Sequence, residues 1–184
     1  EQCSASRAEL VEKWILASKT HIQPLVQDPL IQRFCDKHAA VHGTYERVVG
    51  LDEVPFAILR HFTGIETPIE LLAGQGDLLD AVLWPDNISV EKRPATVEDS
   101  VAISEAYAGI AETGTLVLLS QEQRWVSHNF LPDDHIIILN SKLIVRHQED
   151  IWRRLRALSE GLPRVVNLIT GPSKTADVEQ TVQY

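Results

Sequence analysis

Two short stretches of this sequence combine residue types that can do chemistry. The first, Ala111-Glu112-Thr113-Gly114-Thr115, sets a carboxylate just before a Thr-Gly-Thr turn that feeds the apolar run Leu116 to Leu119. A carboxylate there can act as nucleophile or general base if its surroundings tune it, or can simply accept hydrogen bonds from nearby backbone N–H groups. No second catalytic group for Glu112 can be named from the sequence. The second stretch, Gly171-Pro172-Ser173-Lys174-Thr175-Ala176-Asp177, follows the β-branched run Val165 to Thr170. It reads as a buried strand that breaks at a Gly-Pro turn and opens a helix. The free N–H groups and partial positive charge of a helix start suit an anion such as a carboxylate or phosphate. The spacing is not that of a Walker A loop. The same residues also suit a plain strand-to-helix turn, with Ser173 or Thr175 as the cap and Asp177 favoured by the helix dipole alone. The candidate ligand-binding residues are therefore Thr113, Gly114, Thr115, Gly171, Pro172, Ser173, Lys174, Thr175 and Asp177, with Glu112 as the catalytic candidate.

A third group is Cys35, His38 and His42, spaced i, i+3 and i+7, which would share one helix face. Thiolate and imidazole suit zinc, so this is half of a possible metal site. Equally, Cys35 can pack as a small hydrophobe. No metal is assigned on it. Ser127 and His128 lie in a loop without a third member for a triad, and His135 stands at the entry to a strand, where it is read as orienting that loop.

These residues must be carried by a scaffold of alternating strands and helices. Periodicity predicts a helix over 5–19, with Leu10, Trp14 and Ala17 on one face, and a second from Pro29 to Val41 with Leu30, Phe34, Lys37 and Val41 on a stripe. Asp28 followed by Pro29 is a start signal, a capping acid before a first-turn proline, and His42-Gly43 is the stop. Thr44 to Val49 is short and β-like, and a further helix spans Asp52 to Phe62, ending at Thr63-Gly64. Strands are expected at Pro68–Ala73, Ile88–Val90, Val101–Ser104, Thr115–Ser120, His135–Leu139 and Val165–Thr170, with a helix at about Gln148–Leu158. Gly74-Gln75-Gly76 is a turn and Trp84 to Asn87 a loop. The unbroken apolar runs Leu116–Leu119 and Ile136–Leu139 suit strands buried on both faces. The expectation is one α/β domain over 1–184, with a largely parallel sheet and an N-terminal helical segment at 1–43.

Bulk properties exclude several function classes. The chain has 184 residues, 44% of them hydrophobic and 23% charged, with a formal net charge of -9. Acidic character removes the electrostatic attraction that nucleic-acid binding usually needs, so no nucleic-acid partner is expected. No apolar stretch approaches the roughly 20 residues of a membrane span. The two cysteines are fewer than the about four thiolates that an iron–sulfur cluster needs, so the chain alone should hold none. A reducing, cytoplasmic setting is expected. The sequence opens on Glu1 and contains no methionine.

Three motifs in order carry a resemblance. They are Ala111-Glu112-Thr113-Gly114-Thr115 within Val101–Ser120, then Leu131-Pro132-Asp133-Asp134-His135-Ile136, then Ile169 through Thr170-Gly171-Pro172-Ser173-Lys174-Thr175-Ala176-Asp177 to Val178-Glu179. Together they resemble the LUD-domain family, the group of lactate utilization protein C. The resemblance implies a layered α/β fold similar to the sugar-isomerase, CoA-transferase and formyltetrahydrofolate cyclo-ligase group, some of whose CoA-transferases use a Glu. It also implies a role as an accessory or subunit of a bacterial system that oxidises L-lactate to pyruvate, with iron–sulfur clusters carried by partner proteins and no cofactor on this chain alone. Family members continue past the Asp-x-Glu segment into a Gly-x-His-Gly-Pro turn and a closing strand, which this sequence, ending at Tyr184, does not contain. Two other readings stay open. One is a stand-alone enzyme that binds a CoA, folate or phosphorylated ligand at the strand ends near Gly114 and Gly171. The other is a small metal-binding module at Cys35, His38 and His42.

Overall fold

The computed structural model describes residues 23–64, 68–159 and 161–172, together with residues 6, 7, 9, 10 and 13. Ser173, Lys174, Thr175 and Asp177, and most of the helix expected at 5–19, lie outside the described residues. Among the described residues, eight strands form two four-stranded sheets. The first contains β1 (Ile69–Ala73), β2 (Ile88–Glu91), β3 (Val101–Glu105) and β6 (Asp134–Ile138), in the order β2-β1-β3-β6. Every pairing in it is parallel, with Leu71 opposite Val90, Ala73 opposite Ile103, and Ile103 opposite Ile136. The second contains β4 (Ala108–Ile110), β5 (Thr115–Leu119), β7 (Ile144–Val145) and β8 (Val166–Ile169), in the order β7-β4-β5-β8. Its β4–β7 pair is parallel, whereas β5 pairs antiparallel with both β4 and β8. The α/β architecture with a mostly parallel sheet thus holds, and the strands are divided between two sheets. β3 and β4 are nearly continuous, so the chain crosses from one sheet to the other at Ala106 and Tyr107. Their N–H groups donate to Ile138 in the first sheet and Val117 in the second.

Among the described residues, the helices α1 (Leu30–Ala40), α2 (Val54–His61), α3 (Asp77–Ala81) and α4 (Gln148–Arg156) pack around these sheets. The second sheet is sandwiched. On one face, Phe34 and Cys35 of α1 pack with Leu116 and Leu118 of β5. On the other, Ile151 and Leu155 of α4 pack with Val117 and Leu119. This two-sided burial is why the run Leu116–Leu119 lacks polar alternation. Each fully buried aliphatic or aromatic side chain contributes about 1.5–3 kcal/mol relative to exposure. The first sheet is covered by Val54, Ile58 and Phe62 on α2 and at its C-terminal cap, together with Leu79, over Leu71, Ala73 and Ile103. The other apolar run, Ile136–Ile138, is only half-buried, because β6 is an edge strand of the first sheet.

Several local expectations change for identifiable reasons. Asp28 makes no helix cap; its carboxylate instead accepts bonds of 3.0 and 3.2 Å from the Arg146 guanidinium. The helix expected from Asp52 begins as a single 3-10 turn, Leu51–Glu53, before Val54. Thr44 to Val48 has no regular secondary structure. The short strands β4 and β7, too brief to show periodicity, were not separable from turns by pattern. α4 matches its expected position and is entered through Asp150, whose carboxylate accepts the His147 N–H at 3.0 Å. Burial acts to raise the Asp150 carboxyl, and the His147 N–H and Arg153 together overcome it and hold the group below its usual range.

Candidate functional site

The sheet register brings the two sequence motifs together. Thr115 opens β5 and Thr170 follows β8, and the antiparallel pairing sets their hydroxyls 2.7 Å apart. Thr113 Oγ1 lies 2.6 Å from Thr115 Oγ1, so three hydroxyls form a chain across both turns. The C-terminal end of α1 packs against the glycines of both turns. Gly114 has φ +72°, and a Cβ there would sit 2.3 Å from the His38 backbone N. Gly171, with φ +76°, meets Val41 O in the same way at 2.3 Å. The His38 ring Nδ1 is 3.0 Å from Gly114 O, and the Gly114 N–H is spent on Ile110 O at 2.9 Å. Gly114 and Gly171 are therefore packed against the end of α1, while Thr113, Thr170 and Pro172 stay exposed. Pro172 is the last described residue of the second motif.

Glu112 acquires the partner that the sequence left unnamed. Its Oε2 lies 2.9 Å from His147 Nδ1, in a pair whose imidazole is buried and whose carboxylate is mostly so. The Glu112 N–H donates to Arg146 O at 3.1 Å, extending the β4–β7 ladder by one step and fixing both residues. No local sequence signal marks His147, since 35 positions separate the pair.

Cys35 and His38 are buried on α1, while His42 lies beyond the helix with φ +68°, so the three do not share a helix face. Burial pushes the Cys35 thiol up. His38 stacks on Phe34 with ring centroids 5.7 Å apart. Among the described residues, no three His, Cys, Asp or Glu side chains are grouped closely enough to hold a metal ion.

A separate cleft lies at the carboxyl ends of β1 and β3. The chain leaves β1 toward β2 on one side and then crosses to β3 on the other. Crevices at such switch points are where open α/β sheets bind ligands. Its cavity of ≈ 20 Å³, room for about one water, opens to solvent and is lined by Gly74, Gln75, Glu105, Ser120, Arg124 and His128, among others. Each wall is fixed. Gln75 N–H donates to Gln123 O at 2.9 Å, and Arg124 Nε donates to Gln75 O at 2.8 Å. Glu105 Oε2 accepts the Leu78 N–H at 3.0 Å, and a Cβ on Gly76 would fall 2.4 Å from that oxygen. Arg124 Nη2 and Glu105 Oε2 stand 3.9 Å apart, within ion-pair range but beyond a hydrogen bond.

The neighbouring histidines are structural. His128 Nε2 is 2.7 Å from Arg93 O, and Ser127 Oγ accepts the Ala95 N–H at 3.0 Å, so these loop residues pin the segment 93–95. Burial lowers the His128 pKa, and His135, whose Nε2 is 2.9 Å from Ser104 Oγ, is lowered to about 4 by burial and by the nearby His128. The Arg93 guanidinium, paired with both oxygens of Asp99, holds that carboxyl well below its usual range. A hollow of ≈ 340 Å³ beside α2 is far larger than the ≈ 20 Å³ cavity, but its β6 lining is Asp134, His135 and Ile136, at the amino end of that strand. The sequence signal for the cleft was Gly74-Gln75-Gly76 directly after a strand; nothing local marked Glu105 or Arg124.

The fold and this cleft define an α/β protein with a crevice at a sheet switch point. The LUD domain model matches residues 73–184, and the chain belongs to that family. Lactate utilization protein C of Macrococcus caseolyticus is 31% identical over 103 residues, covering 54% of this chain and 45% of that protein. Its namesake in Halalkalibacterium halodurans is 35% identical over 85 residues, covering 45% and 37%. The chain spans about half the length of the curated relatives it matches. A crystal structure of a DUF162 family protein from Deinococcus radiodurans superimposes with a TM-score of 0.62 over 80% of this chain and 90% of that one. At 19% identity, that likeness concerns the fold.

Proposed function

We propose that this LUD-domain chain serves a bacterial system that oxidises L-lactate to pyruvate, in the cytoplasm, beside iron–sulfur proteins that carry the electrons. The observation that carries this reading is the similarity to lactate utilization protein C. The family match over 73–184 also contains every cleft residue named above. Removing two electrons and two protons from lactate leaves pyruvate, and the electrons need an acceptor. Two cysteines are fewer than the about four thiolates of a cluster, which supports placing the clusters on partner proteins. No helix among the described residues is long and apolar enough to cross a membrane.

The test is co-purification of the native protein, followed by lactate-oxidation assays on the isolated chain and on the assembled complex. Iron–sulfur proteins should accompany the chain, and turnover should require them. Turnover of lactate by the isolated chain with a soluble acceptor would refute the accessory role. It would favour a stand-alone enzyme instead.

A further inference from the structure

We propose that the cleft between the carboxyl ends of β1 and β3 binds a small carboxylate with an adjacent hydroxyl, Arg124 holding the carboxylate and Glu105 accepting the hydroxyl hydrogen. The guanidinium is held at one edge only, by Nε on Gln75 O. Among the described residues its two terminal nitrogens have no hydrogen-bond acceptor, and the nearest acid, Glu105, stands off at 3.9 Å. A guanidinium fixed at one edge presents the rest of its fork to a ligand, and carboxylates match that fork with two parallel bonds.

Glu105 sets the rest of the ligand. One of its oxygens is taken by the Leu78 N–H, and the side chain is largely buried, so its charge stays beside the cleft. A multiply charged anion such as phosphate would meet that charge directly. A ligand that turns a hydroxyl donor toward Glu105 instead gains a charge-assisted hydrogen bond. A 2-hydroxycarboxylate supplies both groups on neighbouring carbons. The corresponding 2-oxo acid presents a carbonyl acceptor to a carboxylate and is disfavoured. Leaving a buried polar group unpaired is what gives such sites their discrimination. The enclosed part of the cleft, ≈ 20 Å³, has room for about one water, so the ligand must be compact and sit at the open mouth where Arg124 and Glu105 meet. The ligand class rests on Arg124 and Glu105; the choice of L-lactate as probe rests on the lactate-utilization reading.

The experiment is titration of the purified full chain with L-lactate, pyruvate, propionate and inorganic phosphate, followed by calorimetry and by backbone amide NMR. L-lactate should bind about tenfold or more tightly than the other three, with shifts concentrated at Gly74–Gly76, Glu105 and Ser120–Arg124. Arg124→Gln should weaken lactate by about tenfold or more, and Glu105→Gln should shrink the lactate-to-pyruvate preference to within about threefold. Unchanged lactate affinity in Arg124→Gln, or pyruvate bound as tightly as lactate, would overturn the proposal. If either variant fails to fold, the wild-type shift map decides, and lactate shifts outside the cleft overturn the assignment. Co-purification with iron–sulfur proteins without lactate shifts at the cleft overturns this inference and leaves the system-level reading standing. Shifts at the cleft without such partners support the inference and remove the accessory role.

Discussion

Replacing Gly114 by alanine tests how tightly α1 is clamped onto the paired turns. Two costs add at this position. The first is conformational: Gly114 has φ +72°, and a non-glycine residue in the left-handed region costs about 1–2 kcal/mol. The second is steric. The new Cβ would lie 2.3 Å from the His38 N, 2.6 Å from the Lys37 carbonyl carbon and 2.8 Å from the His38 Cα, all helix backbone atoms, which cannot swing aside as a side chain can. Overpacking of this kind costs about 1–3 kcal/mol. The helix must retreat, which also stretches the 3.0 Å contact between the His38 ring and Gly114 O. The sum is about 2–5 kcal/mol, which for a domain of this size lowers Tm by about 4–20 °C. Gly64→Ala is the matched control: its φ is +91° and a Cβ there meets nothing within 4 Å, so only the conformational cost of about 1–2 kcal/mol applies. Urea and thermal unfolding of both variants, monitored by circular dichroism and calorimetry, give the difference directly. Gly114→Ala should exceed Gly64→Ala by about 1–3 kcal/mol. Equal losses, within about 0.5 kcal/mol, would refute the close approach of α1 to the turn.

Two further outcomes follow from the buried polar groups. His135 is held neutral, with its pKa lowered to about 4 by burial. Below an unfolded-state pKa of about 6.5 the unfolded chain takes up a proton that the folded one refuses, so stability is full above that pH and falls as pH drops toward 4, at up to about 1.4 kcal/mol per unit. A shallower fall in His135→Gln than in wild type checks this, as does an imidazole NMR signal that stays neutral at pH 5; titration of that signal near 6.5 would refute it. Glu112→Ala removes the acceptor 2.9 Å from the buried His147 ring and should destabilise by about 1–3 kcal/mol in urea unfolding. A loss within experimental error would show that the pair contributes nothing net.

Local pattern determined a good part of this protein by itself. The helix at Leu30–Ala40, the helix at Gln148–Arg156 and the strands at Ile69–Ala73, Val101–Glu105, Thr115–Leu119 and Val166–Ile169 lie close to where periodicity and turn residues place them. Helix and strand preferences arise from side chains a few positions apart, so they are written into short windows. The run Leu116–Leu119 even announced its burial on both faces. Ile136–Ile138 has the same local pattern and is only half-buried, because a strand's place at a sheet edge depends on which neighbours it acquires.

The sites belong to that second kind of information. Glu112 was legible as a carboxylate in a turn, but its partner His147 arrives through the β4–β7 pairing. The Thr-Gly-Thr and Thr-Gly-Pro turns were each legible, yet their hydroxyl contact depends on the β5–β8 register, and their cover on the docking of α1. Arg124 and Glu105 carry no motif at all. They meet because the crossing from β2 to β3 puts a switch point between β1 and β3, and because Gly74 and Gly76 leave room for the segments that carry them. Short-range chemistry chose the elements, and long-range hydrophobic packing chose which element ends face each other, and so where a ligand can be held.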